Sequence, residues 1–428
     1  MCLYWYRHIS SSREERFNAD VTDIRKDYVW NTIGTSAVAF ISLLLLIAVT
    51  RINGLDAAGV FSFCFSFAIL FFMIGLFGGR IYQVSDVRGE FESRSYILLK
   101  FITSAAMLLT TVIFILANGY DRERVLLLLS LVVYKILDAI ADPLYGVMQR
   151  QGRLYYAGIS MTLKAVIGFV AFVLVNLITY DLLLSSLCLL AANAIFIVVY
   201  DIPHVRKLEK IGRMSRDSLK PTFTLLKASV YIFAFALFAN LLVNIPRYFV
   251  DLHFPYYIVG LFGIIIMLAT MLNLFVTFVI QPKLVSLSDR FAAAEYASFN
   301  RTVTKLILIS LVFGVIAIVV TWLIGAPVLS FIYTEDLMPY RLSLTLVVVA
   351  GTINTITMIY SNMLSIMRRF KIQLVNFLIA TGSIFAASAV FIASDSVDGA
   401  IMAFLIANAV QAVLFFISYQ VIFRKVLK

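Results

Sequence analysis

Long runs of uncharged, mostly apolar residues recur along almost the whole chain. Ten of them approach or exceed the roughly 20 residues that an α-helix needs to cross about 30 Å of hydrocarbon. Hydrophobic residues make up 62% of the 428 residues and charged residues only 14%, which is too apolar for a water-soluble core. The sequence therefore predicts an all-α polytopic membrane protein. The ten runs are Asn31–Thr50, Ala57–Gly79, Phe101–Tyr120, Leu182–Tyr200, Ala228–Pro246, Leu252–Pro282, Leu306–Thr334, Leu342–Met367, Ile372–Ser394 and Gly399–Phe423.

Two further segments, Leu126–Met148 and Leu154–Leu177, have the length of a membrane-spanning helix but contain charged residues. They bring the predicted number of transmembrane helices to about twelve. A basic stretch, Arg206–Lys227, has seven cations against two carboxylates and separates two apolar halves of similar size. We interpret it as a cytoplasmic linker. The predicted divisions are a cytoplasmic N-terminal segment (1–27), a six-helix bundle (28–202), the basic linker (203–227), a second six-helix bundle (228–423) and a cytoplasmic tail (424–428).

Short sequence echoes relate the two halves. Each half places an arginine at the outer end of its opening helix and a Gly-x-Phe motif just inside its second helix. Spans four and ten also end in similar basic turns. Such echoes predict two six-helix bundles related by a pseudo-twofold axis along the membrane normal. The paired segments are Arg51 and Arg247, Gly59–Phe61 and Gly260–Phe262, and Arg150–Arg153 and Arg368–Lys371.

The net charge of +11 is distributed unevenly between the predicted loops. With a cytoplasmic N-terminus, 28 of the 35 lysines and arginines lie on the inner side and five on the outer side. Such an asymmetry predicts that both termini are cytoplasmic. The cations therefore indicate membrane orientation, and we expect membrane lipids but no nucleic acid as partners.

The segment Asn244–Asp251, followed by Gly260-Leu-Phe and Gln281–Leu284, resembles helices seven and eight of polysaccharide flippases. Arg51–Gly59 is similar to the first helical hairpin of the same proteins. These Wzx-type flippases belong to the multidrug/oligosaccharidyl-lipid/polysaccharide exporter superfamily. The resemblance implies translocation of a lipid-linked (undecaprenyl-pyrophosphate type) oligosaccharide across the bacterial cytoplasmic membrane. That activity would serve capsule, O-antigen or exopolysaccharide assembly, with polymerase and assembly proteins as further partners.

Charged residues inside predicted spans are the candidate functional groups. Lys135, Asp138 and Asp142 are spaced i, i+3 and i+7 and so share one helix face, and Lys164 lies about halfway along the next span. A charge near the bilayer centre costs at least about 2.5–3.5 kcal/mol, so these groups should face the bundle interior. Given the resemblance, Lys135 and Lys164 are predicted to bind phosphate or acidic sugars, with Asp138 or Asp142 as counter-ion or coupling site. The alternative is that Lys135 and Asp138 simply neutralise each other.

Three arginines lie at predicted helix ends. Arg51 and Arg247 are candidates for the mouth of the substrate cavity, with Asp251 as an alternative, purely structural partner of Arg247. Arg80 lies at an inner helix end, where a long side chain reaches the interface easily, and we expect it to be an anchor.

An enzyme is difficult to assemble from these residues. The histidines His8, His204 and His253 are in no triad or metal-binding spacing, and no glycine-rich phosphate loop is present. The predicted outer loops are short, which disfavours a membrane glycosyltransferase or ligase. A multidrug exporter of the same superfamily and a non-transporting scaffold remain as alternatives, although mid-membrane lysines favour an anionic substrate. We expect alternating access without a cofactor, driven by a Na⁺ or H⁺ gradient or by product removal.

Overall fold

The computed structural model describes residues 2–86, 90–212, 218–392 and 396–426, with side chains from residue 25 onward except at 81, 85, 275–279, 281, 282, 285 and 396. These residues form α-helices joined by short connections, with no strand among them. The helices are α1 (Cys2–Asn53), α2 (Leu55–Leu76), α3 (Gly79–Ser85), α4 (Ser93–Asn118), α5 (Arg122–Arg150), α6 (Leu154–Thr179), α7 (Leu182–Phe196), α8 (Ile202–Leu208), α9 (Leu219–His253), α10 (Tyr256–Ala292), α11 (Tyr296–Val320), α12 (Ala326–Tyr333), α13 (Arg341–Ile366), α14 (Phe370–Phe391) and α15 (Ser396–Val426).

Two wide π-helical turns continue helices without a break. Ile197–Asp201 joins α7 to α8, and Thr321–Gly325 joins α11 to α12. Among the described residues, eleven helical segments are long and apolar enough to cross a membrane. The twelfth predicted span lies in α5, a 29-residue helix whose apolar sequence is interrupted by Lys135, Asp138 and Asp142. The predicted all-α polytopic fold class is confirmed.

The chain forms two compact units. Unit 1 contains Met1–Leu45 and Ile74–Val230, and unit 2 contains Leu46–Met73 and Tyr231–Lys428. The finer boundaries at 28–202 and 228–423 remain a prediction. Within the basic linker, Arg213 and Arg216 lie outside the described residues. Arg88 and Lys428, which also entered the predicted charge distribution, lie outside them as well.

In unit 1, α5 packs against α3, α4, α6, α7 and α8. Asp121 begins this helix by accepting a hydrogen bond from the Arg124 backbone N–H at 3.2 Å, which satisfies one of the free donors at a helix N-terminus. The C-terminal half of α5 contributes Ala141, Leu144, Val147 and Met148 to the buried core. The charged face of α5 is therefore surrounded by other helices of the same unit.

In unit 2, α13 has the corresponding central place and packs against α10, α11, α14 and α15. The two Gly-x-Phe motifs meet here. A Cβ atom on Gly59 would lie 1.9 Å from the Tyr256 carbonyl oxygen, and one on Gly260 would lie 2.5 Å from the Leu55 carbonyl oxygen. Glycine is required at both positions because α2 and α10 approach each other so closely, as small residues allow in membrane helix pairs.

The basic turns that end α5 and α13 have the same backbone geometry. Arg153 N–H donates to the Met148 carbonyl at 2.9 Å, and Arg369 N–H donates to the Leu364 carbonyl at 2.9 Å. The residue before each donor has left-handed backbone, with φ of 65° at Gly152 and 56° at Arg368. The echo between these two sequences therefore corresponds to a shared helix-terminating turn.

Candidate functional site

Lys135 is buried in unit 1 and forms an ion pair with Asp138 one turn further along α5, with Nζ 2.9 Å from Oδ2. The other oxygen of Asp138 accepts a hydrogen bond from the side-chain amide of Asn193 on α7 at 2.7 Å. The ammonium group also lies 4.5 Å from the centre of the Tyr134 ring. The contacts thus agree with mutual neutralisation of Lys135 and Asp138, and their role in substrate or ion binding stays a prediction.

Lys164 on α6 forms a second ion pair, with Asp201. The two groups are 2.7 Å apart, and their side chains are 7% and 0% exposed. Asp201 is the last residue of the π-helical turn Ile197–Asp201. Its second oxygen accepts no hydrogen bond from the described residues. Lys164 also lies 5.1 Å from the centre of the Tyr145 ring. Desolvated lysine is therefore compensated by both a carboxylate and an aromatic face.

Lys100 on α4 forms a third buried ion pair, with Asp142 of α5 at 2.8 Å, and its side chain is 1% exposed. Its ammonium group also donates to the Leu76 carbonyl. The predicted span began at Phe101, one residue after Lys100, and that boundary was wrong because α4 already begins at Ser93. The residue lies two turns inside the helix.

A cavity of about 490 Å³ lies beside this third ion pair in unit 1. Its polar lining consists of Arg80, Asp142 and Gln149. Arg80 donates to the Gln149 side-chain oxygen at 3.2 Å and lies 5.7 Å from the Tyr145 ring centre. No carboxylate of the described residues forms an ion pair with Arg80, whereas Asp142 is already neutralised by Lys100. Arg80 is thus half-buried in a cavity wall, and its anchoring role stays a prediction. With Asp142 balanced by Lys100, the described charges at this cavity leave one positive charge in excess.

Arg247 on α9 is buried in unit 2, at 5% exposure. It donates to the Ser62 carbonyl at 2.9 Å and lies 5.9 Å from the Phe262 ring centre. Its Nε–H has no hydrogen-bond acceptor, and it forms no ion pair with Asp251 or with any other described carboxylate. The structural alternative of an Arg247–Asp251 pair is therefore not what the contacts show.

Arg51 has a different environment. Its guanidinium is exposed and donates to the Ile332 and Phe331 carbonyls at 2.6 and 2.7 Å. These carbonyls belong to the last turn of α12, where no backbone N–H of the helix donates to them. The contacts give Arg51 a helix-capping role, and its predicted place at a cavity mouth remains untested.

A second cavity, of about 260 Å³, lies within unit 2 between α9, α13, α14 and α15. The described residues that line it are all uncharged. Its apolar wall includes Phe235, Met358, Phe377 and Phe404. Its polar groups are Asn354, Thr357, Ser361, Asn362, Asn408 and Gln411.

The structure brings the predicted charged residues of α5 and α6 together within one unit but supplies each with a partner. Two of those partners, Lys100 and Asp201, were not among the predicted site residues. Asp201 directly follows the apolar run Leu182–Tyr200 and therefore resembled a loop residue. The signal for it was the continued helical sequence up to Leu208, which makes Asp201 an intrahelical carboxylate.

No family model matches the chain. The chain is 19% identical over 312 residues to the capsular polysaccharide biosynthesis protein CapF of Staphylococcus aureus, covering 73% of this chain and 78% of that protein.

Several solved structures of transporters are similar to the chain over nearly its whole length. They include an inward-facing multidrug resistance MATE family transporter of the MOP superfamily, with a TM-score of 0.69, 14% identity and coverage of 94% of this chain and 98% of that chain. A mutant of the Vibrio cholerae MATE transporter VcmN has a TM-score of 0.64 and 13% identity, covering 95% and 98%. A Pyrococcus furiosus MOP superfamily transporter, described as having a binding pocket of reverse polarity, has a TM-score of 0.61 and 13% identity, covering 95% and 96%. The chain therefore has the fold of the MATE transporters of the MOP superfamily.

Proposed function

We propose that the protein translocates a lipid-linked oligosaccharide, of the undecaprenyl-pyrophosphate type, across the bacterial cytoplasmic membrane. The observation that carries the proposal is that the described charges at the unit 1 cavity, with Asp142 balanced by Lys100, leave the guanidinium of Arg80 unbalanced. Arg80 lines this cavity without a carboxylate partner, and the nearby Asp142 is neutralised by Lys100. A planar guanidinium with free donors is suited to a phosphate group. The pyrophosphate of the carrier lipid would supply the missing negative charge.

Arg247 supports the same assignment from unit 2. A buried guanidinium without a counter-ion is costly, and such a group is typically retained for a functional reason. Its position in the flippase-like segment Asn244–Asp251 agrees with contact to an anionic substrate. The similarity to CapF, a capsular polysaccharide biosynthesis protein, places capsule assembly first among the pathways to test.

Alternating access of the two units would expose the bound headgroup first to the cytoplasm and then to the outer side, with both termini cytoplasmic. Asp138, Asp142 and Asp201 are the candidate carboxylates for Na⁺ or H⁺ coupling, although a small cation or a proton would have to displace the lysine that pairs with each of them. Each is held by a lysine, so proton or cation binding at any of them would release that lysine's positive charge. Such release offers a direct link between ion binding and capture of an anionic substrate.

Multidrug export is the second candidate, because similar solved structures include a multidrug resistance transporter of the same fold. A cationic drug in a membrane protein needs an available carboxylate. The pairing of Asp138, Asp142 and Asp201 with lysines leaves these three carboxylates occupied. We therefore rank this function second.

The test is complementation in a flippase-deficient strain that synthesises a capsular oligosaccharide, at matched membrane levels of each variant. Wild type should restore surface polysaccharide and remove the accumulated lipid-linked precursor. Arg80→Gln should reduce export about tenfold, since one charged hydrogen bond is worth about 1.5–3 kcal/mol. Lys135→Ala and Lys164→Ala test the two predicted substrate lysines in the same assay.

The matched control is Arg122→Gln, which removes an exposed arginine at the start of α5 and should export at the wild-type level. Ethidium efflux is measured in parallel. If wild type restores drug efflux but not polysaccharide export, multidrug export becomes the favoured function. Full export by Arg80→Gln would remove the cavity from the mechanism while leaving the transported substrate class intact.

A further inference from the structure

The unit 2 cavity has a chemistry different from that of the charged groups in unit 1. It is lined by residues 354–362, in the C-terminal half of the long helix α13, and by residues 404–411, which reach the middle of α15. At this depth an uncompensated charge is costly. The described lining contains neither a carboxylate to balance a cation nor a lysine or arginine to balance an anion. Its occupant should therefore be uncharged.

Gln411 gives the clearest evidence that the cavity binds a polar molecule. Its side chain is 2% exposed, and it lines the cavity from α15. The side-chain amide makes no hydrogen bond to any described residue, and its Oε1 atom is buried without a donor. A buried amide without hydrogen-bond partners costs about 1–3 kcal/mol of stability. A ligand that supplies those hydrogen bonds would therefore bind favourably here.

The neighbouring amides present further free acceptors. The NH₂ groups of Asn362 and Asn408 donate to carbonyls of their own helices, at 2.8 and 2.7 Å. This leaves their side-chain oxygens available. Leu242, which also lines the cavity, lacks the usual helical donor to its carbonyl because residue 246 is proline. A hydroxyl group both donates and accepts hydrogen bonds and therefore complements free acceptors and an unpaired amide NH₂ together.

Aromatic side chains also line the cavity. Phe235 and Phe377 are packed edge to face, with ring centres 4.8 Å apart. Apolar surface beside a few convergent polar groups is typical of small-molecule sites. Sugar rings have this dual character, because their C–H groups pack on aromatic rings while their hydroxyls bind amides.

We propose that the unit 2 cavity is a subsite for one uncharged sugar ring of the transported oligosaccharide. The volume of about 260 Å³ suits a single ring and not a whole repeat unit. The inference rests on the proposed function, since it divides the cargo into an anionic part and a neutral part. Gln411, Asn362 and Asn408 bind the hydroxyls, and Phe235 and Phe377 pack against the ring.

The test uses the purified full-length chain in lipid nanodiscs, because maltoside detergents carry sugars of their own. Saturation-transfer difference NMR is recorded with methyl β-D-glucopyranoside, N-acetylglucosamine, glucuronic acid and tetraphenylphosphonium as probes. We expect signals from at least one of the neutral sugars. Gln411→Met should weaken those signals at least about fivefold, since it removes the unpaired amide while conserving side-chain length. Asn362→Leu is the second variant, and exposed Gln151→Met is the matched control.

Equal neutral-sugar signals in wild type, Gln411→Met and Asn362→Leu would overturn the subsite. So would signals from tetraphenylphosphonium or glucuronic acid that depend on Gln411 when the neutral sugars give none. Polysaccharide export is measured on the same variants to separate the two proposals. Export by wild type combined with unchanged sugar binding in both variants would overturn the subsite alone. Gln411-dependent sugar binding without wild-type export would support a neutral-sugar site in this cavity, while overturning the proposed translocation and with it the assignment of that sugar to a transported oligosaccharide.

Discussion

Lys164 of α6 and Asp201 of the π-helical turn are joined by a 2.7 Å ion pair in which the carboxylate has no solvent exposure. The pair is more deeply buried than Lys135–Asp138, whose carboxylate side chain is 23% exposed. Removing one partner of a fully buried pair leaves an uncompensated charge, which costs about 3–5 kcal/mol. The two pairs should therefore differ in their contribution to stability.

Asp201→Asn is expected to destabilise the protein by about 3–5 kcal/mol, because Lys164 would stay charged and buried without a counter-ion. The melting temperature in nanodiscs, followed by intrinsic fluorescence, measures the effect. Glu92→Gln provides the control, since it breaks the surface pair with Arg94, whose side chains are 67% and 29% exposed. Exposed pairs contribute about 0–1 kcal/mol.

The double variant Lys164→Met/Asp201→Leu should recover most of the lost stability, since it removes both charges. If Asp201→Asn melts at the wild-type temperature, the Lys164–Asp201 pair contributes little to the stability of the protein. Export by the stable double variant would then decide whether the pair is needed for transport.

Arg247→Met is expected to keep or raise the melting temperature while lowering polysaccharide export. The substitution removes a buried guanidinium that has no carboxylate partner and an unpaired Nε–H, and relief of such a group is stabilising when its function is lost. Opposite changes in stability and export would distinguish substrate binding from a structural role. A lower melting temperature together with reduced export would instead indicate that Arg247 mainly supports the α9–α2 contact at Ser62.

Arg368→Gly should stabilise the chain by about 1 kcal/mol. Arg368 has φ of 56°, and the left-handed region costs a residue with a Cβ atom about 1–2 kcal/mol. The corresponding position at the end of α5 is already glycine, Gly152. Arg369→Gly is the matched control, because Arg369 has φ of −96° and gains nothing from glycine. Similar melting temperatures for the two variants would contradict the explanation.

Asp86, between α3 and α4, should make the stability of its hydrogen bonds to the Glu90 and Phe91 backbone depend on pH. Burial tends to raise its pKa, but hydrogen bonds from the Glu90 and Phe91 backbone N–H groups and from the Tyr96 hydroxyl outweigh burial, so the pKa of Asp86 is lowered. A lowered pKa stabilises the folded loop above the unfolded value near 3.8, and this stabilisation is lost as the pH falls through the lowered pKa.

Hydrogen exchange of the Phe91 amide checks this pH dependence. Protection, corrected for the intrinsic exchange rate, should be constant from pH 7 to about pH 4 and decrease below that. In Asp86→Asn the protection should be lower and independent of pH. If protection of the Phe91 amide in wild type already decreases near neutral pH, a group other than Asp86 is responsible.

The apolar runs were sufficient to predict the helical fold, because hydrocarbon requires long helices with satisfied backbone groups. The paired glycines at Gly59 and Gly260 were visible as an echo, although nothing in the sequence stated that they touch. The pairing of Lys100 with Asp142 and of Asp201 with Lys164 could not be predicted from the sequence, since it depends on how each helix is rotated and packed against its neighbours. For Arg51, a helix-end position is compatible with both capping and a cavity, and only its contacts with Phe331 and Ile332 reveal the capping contact.

The π-helical turn Ile197–Asp201 also determines the direction in which the side chains after it point around the helix axis. A π-turn is equivalent to one extra residue inserted into an α-helix, and each α-helical residue turns the chain by about 100°. Deleting one residue from this turn would let α7 run on as regular α-helix with its composition almost unchanged. The carboxylate would then point about 100° away from Lys164, so the ion pair depends on helical phase as much as on the presence of aspartate.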